Sequence, residues 1–265
     1  MDTTATAVHT ARHGSIWVVT LNRPECRNAV DGPTATALQD AFIEFDSRAE
    51  LKVAVLTGAG GQFCAGADLH AVDDPGRRNR IEPEGSGPLG PTRMQLSKPV
   101  IAAVEGYAVA GGLELALWCD LRVAADTAQF GVFCRRWGVP LIDGGSVRLP
   151  RLVGQGRALD MILTGRSVAA AEALSWGLVS RVVPEGQALE QALQLAASLT
   201  EFPQQCMKAD RLSCLAQWSL PLERALEAEG RCAATVLQQE GLAGARRFRQ
   251  GAGRHGTFEE SDGSN

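Results

Sequence analysis

The stretch from Lys98 to Asp126, KPVIAAVEGYAVAGGLELALWCDLRVAAD, constrains the fold more than any other part of the chain. Its apolar run Val100–Val104 is short, partly β-branched and bounded by Pro99 and Gly106, which predicts a buried strand. Gly106 to Gly112 carries three glycines in seven residues, where backbone must turn tightly or approach another segment closely. From Gly112 the period becomes helical, with Leu113, Leu117 and Trp118 at helical spacing, and Leu121–Ala125 returns to strand. The order strand, glycine turn, helix, strand predicts an α/β protein. A glycine turn feeding a helix aims backbone N–H groups, and the positive end of a dipole, at one small volume. Glu114, one turn into that helix, is the only carboxylate in the apolar run.

The flanking sequence continues the alternation. After a polar lead of about nine residues, Ser15–Leu21 (SIWVVTL) reads as a strand. Pro33 fits the first position of a helix whose stripe is Leu38, Ala41, Phe42 and Phe45, and Leu51–Thr57 is the next strand. The glycines at 58–61 are followed by no Gly-Lys-Ser/Thr, and no G-x-G-x-x-G is present, so neither a P-loop nor a dinucleotide fingerprint is predicted. Residues 71–97 hold four prolines, four glycines and many charges, and read as a mobile loop, with a short helix near Arg77–Ile81 as the alternative. Ala128–Phe130 predicts a short strand; Val147–Leu152, Gln155–Leu163 and Val168–Trp176 predict helices, and LVSRVV a strand. Beyond Gln187 only helix is expected, over 187–199, 203–216, 221–239 and 241–250. The expected organisation is an α/β core of residues 1–190, a helical region 191–252, and a disordered tail 253–265.

With 265 residues and 45% hydrophobic content, the chain can bury a substantial core. A net charge of −4 gives no reason to expect nucleic acid or an anionic membrane as partner. No run approaches a membrane span, and the N-terminal MDTTATAVHTARHG lacks the basic-then-apolar order of a signal peptide. The seven cysteines form no CxxC pair, so reduced thiols and a cytoplasmic location are expected. The four histidines show no metal-ligand spacing, and none is expected to bind a metal.

Five segments carry a family resemblance: LNRPECRNAV, FCAGADL, KPVIAAVEGYAVAGGLELALWCDLRVA, AQFG and TGRSVAAAEALSWGLVSRVVP. In this order and at this spacing the chain resembles the enoyl-CoA hydratase/isomerase (crotonase) superfamily over nearly its whole length. The resemblance implies a crotonase-like (ClpP/crotonase) fold of repeated ββα units with a C-terminal helical trimerisation region. It also implies a homotrimer or hexamer, an acyl-CoA thioester substrate, and no cofactor beyond the coenzyme A carried in that substrate.

The resemblance also implies a site. Ala67 and Gly111 match the family's oxyanion-hole positions, where two backbone N–H groups hold the oxygen of a thioester enolate. Ala65 matches a backbone contact to the CoA adenine; Asp68 and Leu69 open the following helix on the CoA side, and Arg27 resembles a residue meeting CoA phosphates. Glu114 matches a catalytic acid/base, against the plainer role of neutralising a helix N-terminus. The family's second glutamate is replaced by Cys134, and a thiol is no substitute for a carboxylate handling water. Asp143, in PLIDGG, is either a second acidic group of the acyl pocket or a turn aspartate. Arg135 and Arg136 either pair with Asp143 or are solvated; His70 is incidental, and Arg246, Arg247 and Arg249 either meet a neighbouring subunit's CoA or complement a helix C-terminus. The implied activity is enoyl-CoA hydration, weakened by Cys134. The alternatives are Δ3/Δ2-enoyl-CoA isomerisation and CoA-ester binding with little hydratase activity.

Overall fold

A computed structural model of the chain describes residues 6–251. It begins with a strand where a polar lead was expected: β1 (Val8–His13) pairs antiparallel with β2 (Ile16–Leu21). The two-residue turn needs positive φ, which Gly14 supplies at 61°. β1 lies at a sheet edge with nearly every side chain exposed, so it carries no hydrophobic pattern to be read.

The chain then repeats one device. Helix α1 (Gly32–Ser47) follows β2, and β3 (Val53–Gly58) lies parallel to β2. β4 (Val100–Val104) and β5 (Tyr107–Val109) lead into α2 (Gly111–Trp118); β6 (Leu121–Ala125) and β7 (Gln129–Gly131) lead towards α3 (Gly145–Val153) and α4 (Gln155–Thr164). β8 (Val168–Ala169), α5 (Ala170–Ser175) and β9 (Arg181–Val183) complete the sheets. The larger sheet runs β1-β2-β3-β4-β6-β9, all parallel after the first pair. The smaller runs β5-β7-β8, and single bridges Cys64–Ala108 and Val30–Ala67 accompany it. Each repeat therefore places a strand in the large sheet, a short extended piece beside the small one, and then a helix or turn. This is the ββα repetition of the crotonase fold.

β3 and β4 are buried along nearly their whole length, as parallel strands covered on both faces require. On α1, Leu38, Ala41, Phe42 and Phe45 face the core, and the Phe42 ring meets Trp118 edge-on, centroids 4.8 Å apart. Each such Phe contributes roughly 1.5–3 kcal/mol by leaving water. Helix α2 is buried almost all round. Its last carbonyls are satisfied by the buried Arg122, which donates to Ala116 O at 3.1 Å and Cys119 O at 2.7 Å.

Residues 71–97 form no helix near Arg77–Ile81, contrary to the alternative above; their regular pieces are the 3₁₀ turns Leu69–Ala71, which they share with the preceding segment, and Pro91–Arg93. Side chains pin the segment instead. Arg77 binds the Asp31 and Asp68 carboxylates at 3.0 and 3.1 Å, and Asn79 donates to Val30 O and Pro88 O. With four prolines and four glycines, the segment has lost helical propensity and relies on these ties.

The chain separates into two compact units, divided between Ala197 and Ser198 inside α6 (Ala188–Glu201). The second unit holds α7 (Gln204–Ala216), α8 (Leu222–Val236) and α9 (Leu242–Arg249). A π-helical turn over Leu237–Gly241 joins the last two, so Gly241 sits within continuous helix where a break was expected. The expected disordered tail, 253–265, lies outside the described residues.

Candidate active site

The Val30–Ala67 bridge uses the neighbours of Ala67: Val30 N–H donates to Gly66 O at 2.8 Å, and Asp68 N–H to Val30 O at 2.9 Å. Because alternate residues of an extended chain point opposite ways, the Ala67 N–H faces away from Val30. Gly111 is the first residue of α2, so its N–H has no intrahelical acceptor. The two segments touch: a Cβ on Gly66 would lie 2.8 Å from Gly111 N, and one on Gly111 would lie 3.3 Å from Gly66 Cα. Only glycine permits this approach. Gly112 is held as tightly, since a Cβ there would come 2.0 Å from Cys64 O.

Ala110, just before α2, has φ 53° and ψ −125°, a conformation glycine adopts freely and alanine does not. Its N–H donates to Gly131 O at 2.8 Å, which holds the turn. Such strain is worth of order 1–3 kcal/mol. Ala110→Gly relieves it, less the added flexibility of the unfolded chain. The expected result is a melting temperature about 2 °C higher; a fall on thermal denaturation contradicts the assigned strain.

Glu114 stands one turn inside α2, and 2% of it is exposed. Its Oε1 accepts from Asp143 N–H at 2.9 Å and from Gly145 N–H, the first residue of α3, at 2.7 Å. A Cβ on Gly145 would fall 2.9 Å from that oxygen, so glycine is what lets the carboxylate in. Burial, and then the charge of Asp143, push Glu114 up to about 7, against the two N–H donors and Arg148. Asp143 Oδ1 accepts from Leu89 N–H at 3.0 Å and from the Thr92 hydroxyl. Burial also raises the Asp143 carboxyl. Leu89 links the two halves, since its Cδ1 lies 2.4 Å from where a Gly111 Cβ would be. Glu114 thus lies beside the paired segments of Gly66 and Gly111, bonded to the Asp143 backbone and within reach of the Asp143 charge.

Cys134 sits in the 3₁₀ turn Phe133–Trp137, 8% exposed. Burial and the neighbouring Glu114 charge both raise its thiol, which keeps it protonated and unreactive. Arg135 and Arg136 do not pair with Asp143: they donate to Ile162 O at 3.0 Å and Gly165 O at 3.3 Å. The Arg136 guanidinium also lies over the Phe133 ring, 4.0 Å from its centroid.

On the expected CoA side, Arg27 takes a left-handed φ of 53°, with its guanidinium 5.8 Å from the Tyr107 ring centroid. Ala65 N–H donates to Arg27 O at 3.0 Å, which joins the two segments. Asp68 is buried, bound to Arg23 at 2.9 Å and to Arg77, and accepts from His70 N–H at 3.1 Å. It opens a 3₁₀ turn, not a longer helix, and its side chain is committed to those arginines. Leu69 and His70 are exposed. Arg246, Arg247 and Arg249 lie in the last turn of α9, within the second unit. Among the described residues no group of His, Cys, Asp or Glu could hold a metal.

Leu89, Thr92 and Arg148 escaped the sequence reading. Two lie in the irregular segment and one follows a Gly-Gly pair, so no periodicity marks them. A cavity of about 320 Å³ between the start of α1 and residues 76–90 includes Gly87, which also borders Asp143, but neither carboxylate lines it.

The sequence profile of the enoyl-CoA hydratase/isomerase family matches residues 11–250. Enoyl-CoA hydratase EchA19 of Mycobacterium tuberculosis is 40% identical over 196 residues, which is 71% of this chain and 73% of that protein. A carnitinyl-CoA dehydratase of Salmonella typhi is 42% identical over 195 residues, 73% and 74% of the two chains. Among solved structures, enoyl-CoA hydratase EchA1 of Mycobacterium marinum superposes with a TM-score of 0.86 at 35% identity, covering 92% of this chain and 96% of that one. Profile, relatives and architecture agree with the paired glycine segments at the site: the chain belongs to the enoyl-CoA hydratase/isomerase family, within the crotonase superfamily, and is an enzyme of that family.

Proposed function

We propose that this enzyme adds water across the C2–C3 double bond of a 2-enoyl-CoA thioester and, in reverse, removes it from the 3-hydroxyacyl-CoA. The observation that carries the reading is the buried Glu114 carboxylate, held by Asp143 N–H and raised by burial and by the Asp143 charge, beside the close approach of Gly66 and Gly111. Ala67 and Gly111 N–H groups hold the thioester oxygen as negative charge develops on it. Glu114 takes a proton from water while the water oxygen bonds to C3. The electron pair of the double bond moves through C2 to the thioester oxygen. Returning electrons form a C–H bond at C2 with the proton that Glu114 gives back. The product carries OH on C3 and H on C2, and Glu114 is ionised again. A group near neutrality can both accept and return a proton, and burial with Asp143 beside it tunes Glu114 to that range. Asp143 thereby supplies the second negative charge that Cys134 does not.

Acyl-CoA thioesters as substrates accord with the names of the relatives, and the coenzyme A is carried in the substrate. The test is loss of the conjugated enoyl absorbance of crotonyl-CoA. Hydration that vanishes in Glu114→Gln supports the reading; conversion of a 3-enoyl-CoA to its 2-enoyl isomer with no hydration overturns it. The pH profile checks the pairing. Burial is the larger cause that raises Glu114 and the Asp143 charge adds to it; Asp143→Asn removes that second cause, so the acid limb of kcat/KM is expected to move below pH 7. An unmoved limb breaks the coupling.

For assembly we propose a trimer or a pair of trimers, supported by exposed Trp218, Leu222, Leu226, Leu237, Leu242 and Phe248 in the second unit. Light scattering is expected to give three or six times the monomer mass, and a stable monomer at micromolar concentration counts against it. Seven free cysteines support a reducing, cytoplasmic setting, and among the described residues no helix is long and apolar enough to cross a membrane.

A further inference from the structure

Arg148, in the first turn of α3, holds two main-chain carbonyls from distant segments. Its Nη1 donates to Asp143 O at 2.9 Å and its Nη2 to Thr92 O at 2.6 Å. Each of those residues supports one carboxylate, alongside the N–H groups of Gly145 and Leu89. Asp143 N–H donates to Glu114, and the Thr92 hydroxyl donates to Asp143. The guanidinium therefore grips each support of the pair on its opposite side. Gly144, at φ 95°, leaves room for it, since a Cβ there would come 2.2 Å from Nη1. Arg93 stitches the same seam in the other direction, donating to Ile142 O at 3.2 Å and to Glu82 O at 2.6 Å.

We propose that Arg148 is a positioning residue: by clamping Thr92 to the Asp143 turn, it sets the spacing of Glu114 and Asp143 without touching the substrate. The proposal rests on the acid/base reading of Glu114. A planar fork can reach two carbonyls at once, whereas a lysine ammonium is a point charge on a flexible stem. The charge acts as well. Glu114 and Asp143 face it, with Cys119 and Arg151 nearby, and it favours the ionised form of both carboxylates. Arg93 adds to this at Asp143, and Cys134 also faces Glu114.

Removing the fork loosens the spacing, and misplacement by about 1 Å costs about 10²-fold. Arg148→Gln is expected to lower kcat roughly 10- to 100-fold with KM for crotonyl-CoA little changed, because only the reacting end is disturbed. Its acid limb is expected to move to higher pH, since a cation beside Glu114 is gone. Arg148→Lys keeps the charge, so the limb is expected to stay in place while kcat recovers only in part. A purely structural role moves neither the limb nor the kcat-to-KM split. Wild-type kcat and limb in Arg148→Gln overturn the proposal. If Arg148→Gln does not fold, Arg148→Lys decides alone, and wild-type kcat there overturns the two-carbonyl clamp. Glu114→Gln is assayed alongside. Its inactivity beside a normal Arg148→Gln sinks the clamp only, while its full activity withdraws the acid/base reading beneath it.

Discussion

Glu114→Gln is expected to lose turnover by about 10²–10⁴-fold, the usual worth of a positioned proton-transfer group, while still binding acyl-CoA. The amide oxygen can accept from Asp143 N–H and Gly145 N–H as the carboxylate does, so the local geometry is kept. Only the titrating proton is lost. The same substitution is expected to stabilise the fold. Glu114 is raised from 4.5 to about 7 in the folded protein. An acid held above its unfolded value keeps its proton better when folded, so stability is full below about pH 4.5 and falls as pH rises through 7. The penalty at pH 8 is of order 3 kcal/mol, taken as an upper bound. Thermal or urea denaturation should therefore show the variant more stable at pH 8, with the gap closing towards pH 4. Equal turnover would transfer the acid/base role elsewhere. An equal stability gap at both pH values would deny that the charged carboxylate is disfavoured in its site.

Gly66→Ala is expected to lower kcat/KM by about 10²–10³-fold, the measured scale for one lost oxyanion donor. Gly66 has φ 97°, which strains any other residue. Its new Cβ would lie 2.8 Å from Gly111 N and 3.0 Å from Ala110 Cβ. The first contact is with backbone and has no rotamer to turn aside, so the Gly66 and Gly111 segments must separate. The N–H groups of Ala67 and Gly111, the proposed oxyanion donors, are then displaced from one another. A modest drop in melting temperature accompanies this, and circular dichroism separates lost chemistry from lost fold. A folded Gly66→Ala protein with normal turnover would dismantle the assigned enolate site. A control exists at Gly61, where φ is also positive but a Cβ meets nothing within 4 Å. Gly61→Ala is expected to show the strain without the loss of rate.

The central β–α–β pattern was plain in the residues because its signals are local. Val100–Val104, the glycines and the helical stripe of α2 each act within a few positions, and burial then follows from apolar content. Motif order was enough to identify the family. β1 was invisible for the opposite reason: an exposed edge strand needs no apolar alternation, only a partner, and its partner is β2. The same division runs through the site. Ala67, Gly111 and Glu114 stand in sequence motifs, since backbone turning demands glycine at fixed places. What holds the Asp143 carboxylate depended on where Leu89 and Thr92 came to lie, more than fifty residues earlier in the chain. Sequence determined the β–α scaffold, the glycines that let two segments of the chain touch, and a carboxylate inside an apolar helix. Only the tertiary structure decided that Asp143 neighbours Glu114, that Arg135 and Arg136 turn away, and that Arg148 closes the seam. Hydrogen bonds between irregular segments obey distance and desolvation, and neither leaves a period in the chain.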